Sequence, residues 1–307
     1  MSEPKVKLAH RLEAAVVWLV IKLLRPFTPQ TASRIGSTLA GCIGLFIPTS
    51  KVADMNLRLA MPELGAAARK KIVKQCWQSL GATAAELVRI GEIPEIPLGA
   101  AGPGYTVLGW EENAAPALAE GGPFILITGH IGNWEILPQA AFARGLDIGF
   151  MYRAASNPLV DQMILRLRET NFKRPVKMFA KGSGGARGAY AHMRKGGQLG
   201  LLVDQKLDTG LSIPLFGHNA MTMDAMGSLA LKFRCPIIPC HVERIAPARF
   251  HITCEPPLSL PNTGNKQTDM INLTTTMNQT LERWIRTNPG AWLWLHRRWP
   301  KGTQPVA

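Results

Sequence analysis

The sequence predicts an α/β protein: a single domain with a mostly parallel central sheet flanked by helices, preceded by a helical N-terminal region. Three observations carry this. After residue 105, short and uniformly apolar runs ("PFILIT", "DIGFMY", "QLGLLVD", "PIIPCHV") alternate with segments of helical spacing. Strands apolar on both faces belong in sheets that are covered on both faces, and alternation with helices implies parallel crossovers. Residues 1 to about 92 instead read as helical throughout, as in "AAARKKIVKQCWQSLGATAAELVRI", where apolar residues recur between charged ones at helical intervals. A chain of 307 residues with 46% hydrophobic composition can bury a substantial core.

From the N-terminus, "LEAAVVWLVIKLLRPF" and "IGSTLAGCIGLFIP" are two apolar stretches within residues 12–48. Neither reaches the ~20 uninterrupted apolar residues of a comfortable membrane span. Basic residues flank the first on both sides and no cleavage site follows, so it does not read as a secretory signal. An uncleaved segment associated with a membrane fits the pattern, and so does an amphipathic helix packed on a core. The Pro- and Gly-rich "GEIPEIPLGAAGPG" closes this region, giving a helical part over 1–92 and an α/β core over 93–307. Within the core, "NWEILPQAAFARG", "NPLVDQMILRLRETN", "SGGARGAYAHMRKGG" and "MTMDAMGSLALKFR" are the expected crossover helices. "KGSGGARG" lacks the spacing of a phosphate loop and reads as a turn opening a helix.

The balance of 35 basic against 21 acidic residues, a formal +14, favours an anionic partner: nucleic acid, acidic lipid headgroups, a phosphorylated metabolite or an acidic protein. No recognisable nucleic-acid reading motif accompanies the charge. The five cysteines are odd in number, widely spread and without C-x-x-C spacing, so neither a disulfide framework nor a zinc site is expected.

Ligands of open α/β sheets collect beyond the C-terminal ends of the strands. The polar residues that follow the expected strands are His130, Arg153, Asp204 and Gln205. On one continuous helix His130 and Glu135 would point about 140° apart. A strand ending at Thr128, a turn over 129–133 and a helix starting near Trp134 bring them together instead. Backbone amides at that helix start could then face an anion or a developing oxyanion. Taken alone, the pair has two readings. It is a general base with the carboxylate that fixes its tautomer, or a polar turn followed by an ordinary helix-start charge. No serine or cysteine stands in a nucleophile motif, so a base here would activate the hydroxyl of a second substrate directly.

The motif "GHIGNWE" resembles the H-x4-E/D motif of the glycerolipid acyltransferase superfamily, and in detail the late acyltransferases of lipid A biosynthesis, the lauroyl and myristoyl transferases. "MYRAASNPLVD", "LGLLVDQKLDTGLSIPLFGHNAMT", "PGAWLWLHRRWP" and the upstream "NLRLAMPEL" are similar to further blocks of that family in the same order. The resemblance implies a glycerolipid-acyltransferase-like fold and transfer of a fatty acyl chain to a hydroxyl of a Kdo-modified lipid A precursor. The donor it implies is a thioester on the phosphopantetheine of acyl carrier protein, with no other cofactor and no metal. It places the reaction at the cytoplasmic face of the inner membrane. In these terms His130 is the base and Glu135 its partner. Arg153 stabilises the thioester oxyanion or holds a substrate phosphate, and Asp204 and Gln205 are polar anchors. Arg297 and Arg298, interleaved with Trp292, Trp294 and Trp299, are candidates for substrate contact. That tail reads either as a membrane-interface element or as a C-terminal helix packing tryptophans on the core. Ala154 and Leu215 depart from the family pattern, where proline and phenylalanine are usual, which bears on loop shape and chain-length preference. The acceptor could be another glycolipid or a lysophospholipid on the same fold.

Overall fold

The interior strands are built from the most apolar runs in the chain. The structure, a computed structural model, describes residues 6–304. Its strands are β1 (Gly104–Leu108), β2 (Ile125–Thr128), β3 (Ile148–Tyr152), β4 (Lys177–Ala180), β5 (Gln198–Leu202), β6 (Lys206–Leu215), β7 (His218–Thr222), β8 (Ile237–Ala246) and β9 (Arg249–Cys254). Its helices are α1 (Leu8–Leu24), α2 (Pro29–Ile43), α3 (Thr49–Ala60), α4 (Ala66–Leu87), α5 (Trp110–Asn113), α6 (Ala115–Ala119), α7 (Leu137–Ala143), α8 (Pro158–Phe172), α9 (Ser183–Met193), α10 (Ala225–Phe233) and α11 (Lys266–Thr287).

Seven strands form one sheet in the order β1-β9-β8-β2-β5-β3-β4. The strands β8, β2, β5, β3 and β4 run parallel. Strand β9 returns antiparallel to β8, and β1 lies parallel to β9 at the edge. Ile125, Ile127, Leu199, Leu201, Ile237 and Ile238 are all buried, as expected of strands covered on both faces.

The four apolar runs become β2, β3, β5 and β8, and the four expected crossover segments contain α7, α8, α9 and α10. Strands β1, β4, β6, β7 and β9 are additions to that expectation. The reason is visible in β9, whose "RFHITC" alternates half-buried with buried residues; a search for uniformly apolar runs selects only the doubly covered centre of a sheet. Strands β6 and β7 leave the main sheet as an antiparallel hairpin. Its two connecting residues, Phe216 and Gly217, both have positive φ, 51° and 73°, the backbone twist that a two-residue hairpin turn requires.

The residues before β1 are helical, from α1 to a 3-10 turn over Ile90–Glu92. Helices α2 and α4 pack backbone to backbone. A Cβ on Gly36 would lie 2.2 Å from the Gly81 carbonyl oxygen, and the reverse holds equally. Helix α4 then supplies Val73 and Cys76 to a core shared with Trp284, Trp292, Trp294 and Trp299.

Helix α1 differs. His10, Ala14, Val17, Ile21 and Leu24 form its inward stripe, while Leu8, Leu12, Val16, Trp18, Leu19, Val20 and Leu23 are exposed. Its tie to the core includes Asn157, whose amide donates to the His10 carbonyl at 2.8 Å and to Glu13 at 2.9 Å. Among the described residues no single helix is long and apolar enough to cross a membrane. The bent pair Pro29–Phe46 and Thr49–Ala60, 85° apart, has the required length and composition only when taken together.

The C-terminal segment corrects the membrane-interface reading of the tail and, of the other, the helix but not the packing of its tryptophans on the core. After a 3-10 turn over Pro289–Ala291 it is not helical. Trp292, Trp294 and Trp299 are 2%, 0% and 1% exposed, so they cannot form a membrane-interface element. Each indole N–H donates inside the protein: to Asp204 at 2.8 Å, to the Pro289 carbonyl at 2.8 Å and to the Leu215 carbonyl at 3.2 Å. Tryptophan is buried at low cost when its N–H is satisfied.

Candidate active site

Strands β2 and β5 are neighbours, with Thr128 opposite Leu202, and the Val203 amide extends the pairing by donating to the Thr128 carbonyl at 2.8 Å. Each chain then leaves the sheet two residues further on, which places His130 beside Asp204. The contact is double. Asp204 Oδ1 lies 2.8 Å from His130 Nδ1, and Asp204 Oδ2 accepts the His130 backbone N–H at 2.7 Å. The same Oδ2 accepts the Trp292 indole N–H at 2.8 Å. Side-chain exposure is 15% for His130 and 3% for Asp204.

The electrostatics follow from this geometry. Burial pushes the His130 pKa down, but the charge and hydrogen bond of Asp204, with a smaller contribution from Glu135, outweigh it and leave the pKa raised. Burial alone would raise Asp204; His130 and the two N–H donors overcome it and hold the carboxyl at about 2. Because the Asp204 carboxylate can only accept, His130 Nδ1 carries the proton and Nε2 keeps its lone pair. That is an imidazole set up to take a proton.

The expected strand, turn and helix start are found: β2 ends at Thr128 and a 3-10 turn over Trp134–Ile136 leads into α7. The expected partnership of His130 with Glu135 is corrected. The Glu135 carboxylate accepts two hydrogen bonds from the Arg168 guanidinium on α8, at 2.9 and 2.7 Å. A planar guanidinium satisfies both carboxylate oxygens at once, so Glu135 is held toward α8 while Asp204 takes the imidazole. The turn's amides are also less available than expected. Those of His130, Ile131, Gly132 and Glu135 donate to Asp204, the Gly129 carbonyl, the Ala291 carbonyl and the Asn133 side chain. All four are thus already engaged within the protein, and none is free for a substrate anion or oxyanion.

Of the other candidates, Arg153 is exposed just beyond β3 and has no hydrogen-bond or ion-pair partner among the described residues. Lys206, with Lys181 and Arg153 further off, lowers the pKa of exposed Asp208, so three cations gather at this edge. Gln205 is half-buried and shares a pocket with Tyr152, Lys181 and Met223. Arg297 lies against α3, its Nη1 3.4 Å from Met55 Sδ. Arg298 is corrected as a substrate contact. It is 2% exposed and donates to the Met221 carbonyl at 2.9 Å and Thr222 Oγ1 at 2.8 Å. Burial lowers its pKa to about 10, against the pull of Asp204. It ties the tail to β7.

Beside the imidazole lies an apolar cavity of about 110 Å³ between the sheet and helices α7 and α8. Leu126, Phe150, Gly200 and Leu202 line it from the sheet, and Leu137 and Ala141 from α7. Trp134 links cavity and base: it forms part of the wall, and its ring meets the His130 imidazole edge to face at 4.8 Å. Cys240 and Cys254, opposite each other on β8 and β9 with their sulfurs 3.3 Å apart, also belong to this wall. Among the described residues no group of three or more His, Cys, Asp and Glu side chains could hold a metal ion. Arg168 and Trp292 were not legible as site residues in the sequence, because each reaches the site from a distant segment; Trp134 lies inside the motif itself, and only the fold sets its ring against the imidazole and the cavity.

Fold and site together define an α/β protein with a carboxylate-held imidazole at its strand ends, next to a cavity lined for an apolar group. A comparison with curated proteins finds no match. The chain belongs to the bacterial lipid A biosynthesis acyltransferases, whose family profile matches residues 3–301. It is therefore an acyltransferase of lipid A biosynthesis.

Proposed function

We propose that the protein transfers a fatty acyl chain directly from acyl carrier protein to a hydroxyl of a Kdo-modified lipid A precursor, in the manner of the lauroyl and myristoyl transferases. The observation that carries this is the His130–Asp204 pair beside an apolar cavity. His130 Nε2 takes the acceptor hydroxyl's proton as its oxygen attacks the thioester carbonyl. The tetrahedral intermediate collapses with cleavage of the C–S bond, and the imidazolium returns the proton to the departing thiolate. Asp204 keeps Nε2 free and stabilises the imidazolium. Arg153, without a partner among the described residues and just beyond the end of β3, supplies positive charge for the oxyanion or for a substrate phosphate. The cavity takes the acyl chain. No metal or further cofactor enters the scheme; the donor's phosphopantetheine belongs to acyl carrier protein.

The formal +14 suits an acidic carrier protein and a phosphorylated glycolipid, and no recognisable nucleic-acid reading motif accompanies it. The exposed apolar side of α1, with Lys22 and Arg25 at its end, supports docking on the cytoplasmic face of the inner membrane without spanning it. Mass spectrometry of lipid A from cells with and without the chain reads the acyl length and position directly. One acyl chain fewer in its absence is expected, and His130→Ala should fail to restore it. Full restoration by His130→Ala would overturn the mechanism.

A further inference from the structure

Against the Gly129–Asn133 turn lies a polar cluster, centred on a fully buried carboxylate, that the chemistry above does not use. Glu86, on α4, is 0% exposed. Its Oε1 accepts from Arg244 Nη1 and from the Ala248 backbone N–H (3.1 Å for the latter), and its Oε2 accepts the Asn133 side-chain amide at 2.7 Å. Asn133 is also 0% exposed, and its own Oδ1 accepts the Glu135 N–H at 3.0 Å. One turn of helix earlier, Thr83 Oγ1 donates to the Gly132 carbonyl at 3.1 Å while accepting from Arg244 Nη2 at 3.0 Å.

The turn these groups hold is intrinsically soft. It contains Gly129 and Gly132; Gly132 sits at φ 61°, and a Cβ there would lie 2.3 Å from the Val242 carbonyl oxygen. Glycine gives the path but no stiffness. On one side the turn is anchored by Asp204 and by the Leu293 amide, which donates to the His130 carbonyl at 3.1 Å. On the other side, Glu86 and Thr83 supply the anchors. Burying the Glu86 carboxylate against a guanidinium that is itself mostly out of water has a large desolvation cost, and apolar residues of like volume would fill the same space without it. What an apolar filling cannot do is fix the Gly132–Asn133 backbone by direction-specific hydrogen bonds.

We propose that Glu86 is a positioning residue for His130, acting through Asn133 to hold the far side of the Gly129–Asn133 turn. This rests on the acyl-transfer reading above. It places one support of the base on α4, which packs backbone to backbone against α2, outside the strand and turn that carry the motif.

The test uses the polarity of one hydrogen bond. In Glu86→Gln the amide oxygen can still accept from Arg244 and Ala248, but its NH2 faces the Asn133 NH2, so only the link to the turn is lost. Turnover should fall by about ten- to hundredfold, with KM for the acyl donor within about twofold of wild type. Adding Asn133→Asp turns the facing group into an acceptor, and the double variant E86Q/N133D should recover most of the lost turnover. Thr83→Val, matched in shape, should lower turnover in the same KM-independent way. Hydrogen exchange provides a readout that does not depend on activity: the Glu135 amide should exchange faster in Glu86→Gln and return toward wild type in the double variant. Unchanged turnover in folded Glu86→Gln, or a double variant no better than Glu86→Gln, would overturn the proposal. Faster exchange without loss of turnover would also overturn it, since the link would then be structural only. A wild-type protein without transfer activity would instead remove the acyl-transfer reading, with the exchange arm still reporting whether Glu86 holds the turn.

Discussion

Asp204 and Glu135 are two carboxylates within reach of one turn, and they have opposite assignments to what sequence distance suggests. Glu135 follows His130 closely in the motif, yet its carboxylate binds Arg168. Asp204 is 74 residues from His130 and holds both its ring and its backbone. The difference teaches that adjacency in a sheet outranks adjacency in a motif. Strands β2 and β5 deliver their ends to the same place, whereas the 3-10 turn after Asn133 directs Glu135 toward α8.

The comparison makes its largest claim for Asp204. Asp204→Asn keeps the shape but removes the charge that fixes the tautomer, and should lower turnover by about a hundredfold or more. It should also move the pH profile. With Asp204 in place the His130 pKa is raised above its ordinary value, so activity should fall as pH drops through that raised value. Without the charge the pKa falls, and the acid limb should shift to lower pH. A limb that stays in place in Asp204→Asn would mean that another group sets it.

Glu135→Gln should act in the other order, on stability before chemistry. It leaves Arg168, whose side chain is 18% exposed, without its charged partner; the expected loss is about 1–3 kcal/mol in denaturant unfolding. Turnover should fall less than in Asp204→Asn. If the two variants lose equal activity, Glu135 does more than hold α8.

A smaller effect is expected behind Asp204. Trp292→Phe keeps most of the ring in the core but removes the N–H that Oδ2 accepts. About a several-fold loss of turnover is expected, corresponding to the roughly 1 kcal/mol of one such hydrogen bond, with the acid limb nearly unmoved. The smallest effect on chemistry belongs to α1. Leu12→Glu with Leu19→Glu, at positions 62% and 50% exposed, should weaken binding to anionic lipid vesicles while leaving the pH profile as in wild type. Unaltered vesicle binding would remove α1 from the docking surface.

A second pair of regions separates in the same way. Helix α1 and the C-terminal tail both set aromatic and apolar residues beside basic ones. In α1 most of that surface stays exposed, while in the tail all three tryptophans and Arg298 are buried. Composition is alike in both; what differs is that the tail has Phe216, Leu57 and Cys76 to pack against in the shared core.

The sequence by itself determined what is local. Short, mostly apolar runs alternating with helical segments pointed to the covered centre of a sheet, and β2, β3, β5 and β8 are those runs. The glycines around His130 could only be a turn between strand and helix, and that turn is present. Alternating β9 and the short edge strand β4 escaped that reading, because half-covered strands carry the same residues as loops. Only the tertiary structure decided which carboxylate serves His130, that Arg168 takes the other, that Trp292 reaches Asp204 from the far end of the chain, and that Glu86 stands behind the turn. Periodicity and turn chemistry act over a few residues and are written along the chain. The pairing of charges depends on distances of about 3 Å between segments whose separation in sequence carries no record of where the sheet will set them.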